Sequence, residues 1–282
     1  MRIVYVTDLH GWKAGYERTL LHAIECGAHA IINGGDMGPP GDDVAAVQRA
    51  FYDDFFADLL TRMTGRGIAY YGMFGNEDVA FNWPRWKELV DQSPLIFDST
   101  ESWHELDDGL WLRGFSYVPD FPYRIKDFAL RDLADVARPA QREAPIRSGE
   151  AGMEPIADLE QFFAERPTML EKLEQELTPL PSDGRAITAI HAPPFDTGLG
   201  VLPSAGEVGS HAVRQWIEKY QPFLALHGHI HESPRLTGIT TCHLGQTVCH
   251  QPGQQGPSAL TISELTFDDR DVQIERKTLN VE

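Results

Sequence analysis

The 282-residue chain has only three cysteines, Cys26, Cys242 and Cys249, an odd number with no Cys-x-x-Cys spacing. That fits a reducing compartment better than a disulfide framework. No apolar run approaches the roughly 20 residues of a membrane-spanning helix. The chain enters its first strand with no charged n-region, apolar h-region or cleavage site. The expectation is a cytoplasmic protein that engages no membrane. Positive charge is also scarce, 24 Lys and Arg against 42 Asp and Glu, for a net charge of −18. A field of that sign repels nucleic acid, and no basic stretch offsets it, so nucleic-acid binding is disfavoured. Anionic small molecules remain admissible if cations reverse the potential within a cleft. Internal repeats, low-complexity tracts and linkers are missing too, and the sequence carries no sign of an oligomeric state.

What is present suits one α/β domain over residues 1–282, long enough to bury a large core. Ile3 to Val6 is a short apolar run of strand type, and Leu20, Leu21 and Ile24 give Ala14 to Cys26 helical spacing, closed by Gly27. Ala28 to Asn33 predicts a second strand. A helix capped by Asp42 or Asp43 then runs through Val44, Val47, Phe51, Phe55, Leu59 and Met63, and Ile68 to Phe74 predicts a third strand. This β-α-β-α-β order implies parallel strands with right-handed crossovers. Trp103 to Leu106 and Gly109 to Phe115 predict a hairpin turning at Asp107-Asp108-Gly109. Residues 116–155 are mixed in charge and rich in Pro, Gly and Arg, and read as an insertion or lid rather than core. Ile156 to Leu177 predicts a helix that Pro167 divides. Ala186 to Ile190, Val208 to Tyr220 and Phe223 to Leu226 follow as strand, helix and strand. The tail predicts strands at Ile239 to His243, Thr247 to His250, Ser258 to Phe267 and Val272 to Lys277.

At five strand ends stand side chains able to bind a metal: Asp8 and His10, Asp36, Asn76, His191, then His229 and His231. Taken alone, Asp8-x-His10 is a weak signal. In a parallel α/β sheet, however, the carboxyl ends of the strands share one edge, where sites form. Two carboxylates, one amide and four imidazoles suit two borderline divalent ions, Mn, Fe or Zn, better than Ca or Mg. The bland alternative is a set of unrelated turn and cap residues, which Asp and Asn often are.

Together, Asp8-x-His10, Gly35-Asp36, Gly75-Asn76, His191 and Gly228-His229-x-His231 resemble the five-block signature of the calcineurin-like metallophosphoesterases, in the expected order. The resemblance implies a four-layer α/β/β/α sandwich, two mixed sheets flanked by helices, with a di-metal site at the sheet edges. It implies Asp8, His10 and His231 on one metal, Asn76, His191 and His229 on the other, and Asp36 bridging them. Asn76 and His191 would also meet the substrate. The stretch from Gly245-Gln246-Thr247 to Gln251-Pro252-Gly253 resembles the family's closing strand pair, where Asn-Pro-Gly is commoner. The implied activity is hydrolysis of a small phosphate ester, by in-line attack of a hydroxide bridging the two metals.

The chain departs from the pattern at Gly75-Asn76-Glu77-Asp78, where the family has a His, its general acid, in place of Glu77. Either Glu77 is the acid, with burial raising its pKa, or it shapes the pocket and the reaction relies on good leaving groups. Glu77 and Asp78 are the candidates at this altered acid position. The change favours phosphodiesters, and Phe74, where the Ser/Thr phosphatases of the superfamily have Arg, disfavours a Ser/Thr phosphatase. The alternatives are a phosphomonoesterase with Glu77 as acid and a non-catalytic metal-binding scaffold.

The other histidines invite blander expectations: His227 a core or supporting residue, and His22, His29, His104 and His211 surface residues. A second metal site among Cys242, His243, Cys249 and His250 lacks any recognised spacing. Arg124, Lys126, Arg131, Arg138, Arg142 and Arg147 alternate with acids, which predicts a solvated, ion-paired surface over a substrate lid. Phe195 and Asp196 are candidates for substrate contact by position alone.

Overall fold

Alternation along the first strand sets the layering. In β1 (Arg2–Val6), Ile3 and Tyr5 point to one side and Val4 and Val6 to the other, and all four are buried. The computed structural model describes residues 1–107, 109–182, 184–268 and 270–281. After β1 come α1 (Lys13–Cys26), ended by Gly27 in the left-handed conformation, and β2 (Ala30–Asn33). Asp43 caps α2 (Val44–Ala50) by accepting from the Ala46 N–H at 3.2 Å. That helix continues through a π-helical stretch, Phe51–Phe56, into α3 (Ala57–Thr64), and β3 (Ala69–Gly72) completes the expected unit. Where no element is predicted above, a 3₁₀ turn at Ala80–Asn82 leads into α4 (Trp83–Val90) and β4 (Ile96–Asp98).

The hairpin forms as β5 (His104–Asp107) and β6 (Leu110–Phe115); its turn residue Asp108 lies outside the described residues. Within 116–155 lie β7 (Val118–Pro119), β8 (Ala129–Leu130), β9 (Ile146–Gly149) and β10 (Gly152–Pro155). This stretch is not confined to the surface, because Phe128 and Leu130 enter two separate core clusters. Pro167 divides α5 (Leu159–Ala164) from α6 (Met169–Leu177), and Thr168 and Glu171 close a reciprocal capping box on the second. Then follow β11 (Arg185–Ile190), β12 (Val201–Leu202), β13 (Gly206–Glu207), α7 (His211–Tyr220), β14 (Leu224–Leu226) and α8 (Ser233–Thr237). The chain ends in β15 (Thr241–Leu244), β16 (Thr247–His250), β17 (Ala259–Phe267) and β18 (Val272–Asn280).

Two six-stranded mixed sheets result, ordered β18-β17-β1-β2-β3-β4 and β15-β16-β14-β11-β6-β5. In the first, β1 to β4 are parallel and β17 joins antiparallel to β1. Ile3, Tyr5, Ile32 and Leu265 from one sheet meet Leu112, Ile187, Ala189 and Leu226 from the other, forming the middle of the sandwich. The opposite face of the first sheet packs on α1, α3 and α4 through Val4, Ile31, Leu20, Leu59 and Trp86. That of the second packs on α6 and α7 through Ile190, Ala225, Leu173 and Trp216. The layers are therefore α/β/β/α, as the family resemblance implies. Among the described residues no helix is long and apolar enough to cross a membrane.

Candidate metal centre

The loops after β1, β2, β3, β11 and β14 gather at one edge, and backbone hydrogen bonds lace them together. Asp8 N–H donates to Gly35 O at 3.0 Å, His10 N–H to Asp36 O at 2.9 Å and Gly228 N–H to His191 O at 2.9 Å. The two sheets are joined here by His229 N–H, which donates to Asp8 Oδ1 at 2.9 Å. Asp8, His10, Asp36 and His229 all have positive φ, between 43° and 65°. Non-glycine residues rarely adopt this conformation, and such strain clusters at functional sites. Gly75 allows the closest approach: a Cβ there would lie 2.3 Å from Asp36 Oδ1 and 2.8 Å from His191 Nε2.

All seven sequence-predicted ligands come together. His191 Nδ1 is placed to donate to Gly34 O at 2.7 Å, which fixes the ring with Nε2 facing the centre. That Nε2 is 3.1 Å from Asn76 Oδ1, 3.3 Å from Asp36 Oδ2 and 3.9 Å from Asp8 Oδ1. On the other side, His10 Nε2 is 4.0 Å from Asp36 Oδ2. The His191 and His229 rings are 5.4 Å apart between centroids, and those of His10 and His231 5.8 Å. Asp36 thus stands between an Asn76–His191–His229 group and an Asp8–His10–His231 group.

Electrostatics show what the centre requires. Burial alone would lower the pKa of His10, but the Glu77, Asp36 and Asp8 carboxylates raise it to about 10. Burial likewise opposes protonation of His191, yet Asp36, Asp8 and the Gly34 carbonyl raise it to about 9. Burial pushes Asp36 up, but His191 and His10 hold it well below the usual carboxylate range. His229, buried and beside His191, falls to about 3 and stays neutral. Buried carboxylates here demand positive charge, and divalent cations would meet that demand. Asp8 Oδ2 is buried and has no hydrogen-bond partner among the described residues. The carboxylate, imidazole and amide donors therefore fit a pair of borderline divalent ions.

The altered third block divides its labour. Glu77 Oε2 lies 3.3 Å from His10 Nδ1, on the ring edge away from Asp36. Its own N–H donates to Asp36 Oδ1 at 2.8 Å. Asp78 is fully buried and accepts from the N–H groups of Met37, Gly38 and Gly75, at 3.0, 2.7 and 2.8 Å, and from Tyr52 Oη at 3.3 Å. Its carboxylate thus ties the Asp36 loop to the Asn76 loop.

Several supporting residues escape sequence reasoning. Gln48 on α2 donates to Glu77 O at 2.9 Å and accepts from Val79 N–H at 3.1 Å, bracketing Asp78. Gln251 is buried and donates to Ile230 O, between His229 and His231, which gives the Gln-Pro-Gly variant a structural role. A cleft of about 660 Å³ leads away from Asp8, His10 and His231 over Trp12, Arg235 and Gln255. Amphipathic spacing explains Gln48 as one more helix residue, and nothing in sequence links Trp12 to Arg235.

Other expectations need correction. His22 is not a surface residue: it is buried, with Nε2 2.8 Å from Glu264 Oε1. His104 sits in β5 with Nε2 2.9 Å from Asp98 O. Lys126 is fully buried rather than solvated, paired with Asp120 at 2.8 Å, and Arg138 meets the same carboxylate at 3.0 Å. Phe195 stacks on His211 at 3.9 Å and Asp196 pairs with Arg214, so both engage α7. His227, by contrast, is the core residue the sequence predicts, its pKa lowered to about 4 chiefly by burial. Cys242 and Cys249 face each other across β15 and β16, while His250 bonds Ser263 and Thr241. Among the described residues those cysteines and His243 and His250 form no metal-competent group.

The family model described as calcineurin-like phosphoesterase matches residues 1–233. The crystal structure of TT1561 of Thermus thermophilus is similar, with 17% identity, a TM-score of 0.58, and coverage of 100% of this chain and 99% of that one. So is a dimetal phosphatase from Danio rerio, with 12% identity, a TM-score of 0.55, and the same coverage of 100% and 99%. At these identities the likeness is one of fold. No curated protein sequence is matched. With the family model covering most of its length, the chain belongs to the calcineurin-like phosphoesterases.

Proposed function

We propose that the protein is a two-metal hydrolase of small phosphodiesters, with Mn, Fe or Zn as its ions. One observation carries this reading: the Asp36 carboxylate lies within 3.3 Å of His191 and 4.0 Å of His10, the place of a bridging ligand between two groups of donors. Asp8, His10 and His231 would hold one ion, and Asn76, His191 and His229 the other. When bound, the ions activate water and neutralise phosphate oxygens. The chain's own residues set the geometry. Asp36 fixes the separation of the two groups, and Asn76 adds a ligand without adding negative charge. Asn76, after β3 of the first sheet, and His191, after β11 of the second, would face the phosphate from either side.

Glu77 and Asp78 support the diester preference. Asp78 commits its carboxylate to three N–H groups and Tyr52. Glu77 is placed to accept from His10 Nδ1 and so to orient a ligand. With neither available to protonate a poor leaving group, esters with good leaving groups are the substrates. The cleft beside His10 and His231 has room for the second ester arm. The three free cysteines accord with a reducing, cytoplasmic setting.

The test is turnover of an aryl phosphodiester by metal-stripped protein reloaded with Mn²⁺, alongside an alkyl monoester. We expect diester cleavage that chelation abolishes and Asp36→Asn reduces by more than about 100-fold. Equal inactivity of wild type and Asp36→Asn with every metal would overturn the assignment. Efficient alkyl monoester cleavage that Glu77→Gln removes would make Glu77 the acid of a monoesterase.

A further inference from the structure

We propose a separate site for one zinc ion, formed by His22, Cys26 and Glu264, between the end of α1 and β17. His22 and Cys26 stand four residues apart on α1, so both side chains face the same way. Glu264 has the parity of Leu260 and Ile262 on β17, which pack in the core beneath the helices. It is therefore a carboxylate on the apolar face of a strand, buried beside a buried imidazole.

One donor atom from each of the three residues lies within 4.8 Å of the others. His22 Nε2 is 2.8 Å from Glu264 Oε1, while His22 Nδ1 points to Glu25 Oε2 at 3.8 Å. At that distance Glu25 is a charged neighbour of the ring, beyond hydrogen-bonding reach. Cys26 is half-buried, and its sulfur makes only a weak 3.6 Å contact with Ala23 O, so the thiol is open to a stronger partner. The negative end of the α1 dipole adds to the pull on a cation. Thiolate, imidazole and carboxylate together select zinc over magnesium or calcium, leaving a fourth position for water.

The neighbouring charges are compatible with this occupant. Lys277 also meets Glu264, but it has a second carboxylate, Glu275 Oε2 at 3.3 Å, to which it can transfer. Arg18 pairs with Glu25 at 3.2 Å, and Arg2 donates to Cys26 O. That last contact places the cluster at the start of β1, at the end opposite Asp8. On binding, the Cys26 thiol releases its proton to solvent and the sulfur coordinates as thiolate. The ion would staple the end of α1 to β17.

Sulfur makes the test selective, because the centre at Asp36 contains none. Metal-free full-length protein is titrated with Co²⁺ and the thiolate-to-cobalt charge-transfer band is followed. We expect a band whose final amplitude corresponds to one thiolate-bound cobalt per chain, which is displaced by Zn²⁺, is lost in Cys26→Ser and survives in Cys242→Ser and Cys249→Ser. Diester turnover by Cys26→Ser should equal wild type, and its melting curve in chelator shows whether it folds. Absence of the band in folded wild-type protein would overturn the proposal. So would a band that persists in Cys26→Ser and disappears in Cys242→Ser.

Discussion

Gly75 is the residue with least room for change. A methyl group there would meet Asp36 Oδ1 at 2.3 Å, Asp36 N at 2.5 Å and His191 Nε2 at 2.8 Å, so either the loop or two ligands must move. Gly75→Ala should lower stability by about 1–3 kcal/mol, from urea unfolding. It should also cut bound metal, measured by elemental analysis, far more than a substitution on the surface. Glu77 is a different case, because it approaches His10, a proposed ligand, from behind. Glu77→Gln should weaken metal binding about tenfold in calorimetric titration, with diester turnover recovering at high metal concentration. A turnover loss unmoved by excess metal would contradict this orienting role. At this scale sequence and structure diverge most on charge. Asp8 and Asp36 are legible because ligands cluster at strand ends, but His22 and Glu264 are 242 positions apart and no local pattern predicts their meeting.

Among the elements, the helix from α2 through the π-helical stretch to α3 does more than cover the first sheet. Its wider turn carries Tyr52 to Asp78, and Gln48 grips the peptides on either side of that carboxylate. Breaking this anchor should be costly. Asp78→Ala leaves three buried N–H groups without their acceptor, and a loss of about 3–5 kcal/mol is expected by chemical denaturation. A milder effect, about 1 kcal/mol, is expected for Thr168→Ala at the capping box of α6. The strands that carry ligands are legible as apolar runs closed by glycine, and the break at Pro167 is legible from proline chemistry. The segment that escapes, α4, opens with Trp83-Pro84 and buries only Trp86 and Leu89 among charged neighbours, so its period is faint. The π-helical stretch is invisible to spacing alone, since Phe51, Tyr52, Phe55 and Phe56 fit an ordinary helix equally well.

For the molecule as a whole, acid is the natural weakness. Burial, aided by His227 and Arg276, lowers the pKa of His250 from 6.5 to about 3. The unfolded chain therefore binds a proton that the folded chain refuses. This contribution to stability is fully present above about pH 6.5 and is lost as pH falls toward 3, at about 1.4 kcal/mol per pH unit. Urea midpoints at pH 7 and pH 5 should differ less in His250→Gln than in wild type, and an unchanged difference would count against the assignment. The layered architecture follows from alternation in strands such as β1, whereas the pairing of β17 with β1 needs the structure. Which strands become neighbours across long loops is decided by packing, and no local signal orders them.

That pairing has a consequence for how the protein is made. β1 leads directly to Asp8, yet one of its two neighbours is β17, Ala259–Phe267, made more than two hundred residues later. The family match ends at residue 233, before that strand begins. Until β17 has been synthesised, the strand that leads to Asp8 keeps one edge unpaired, open to other chains or to chaperones. A late-made strand thus seals an earlier one.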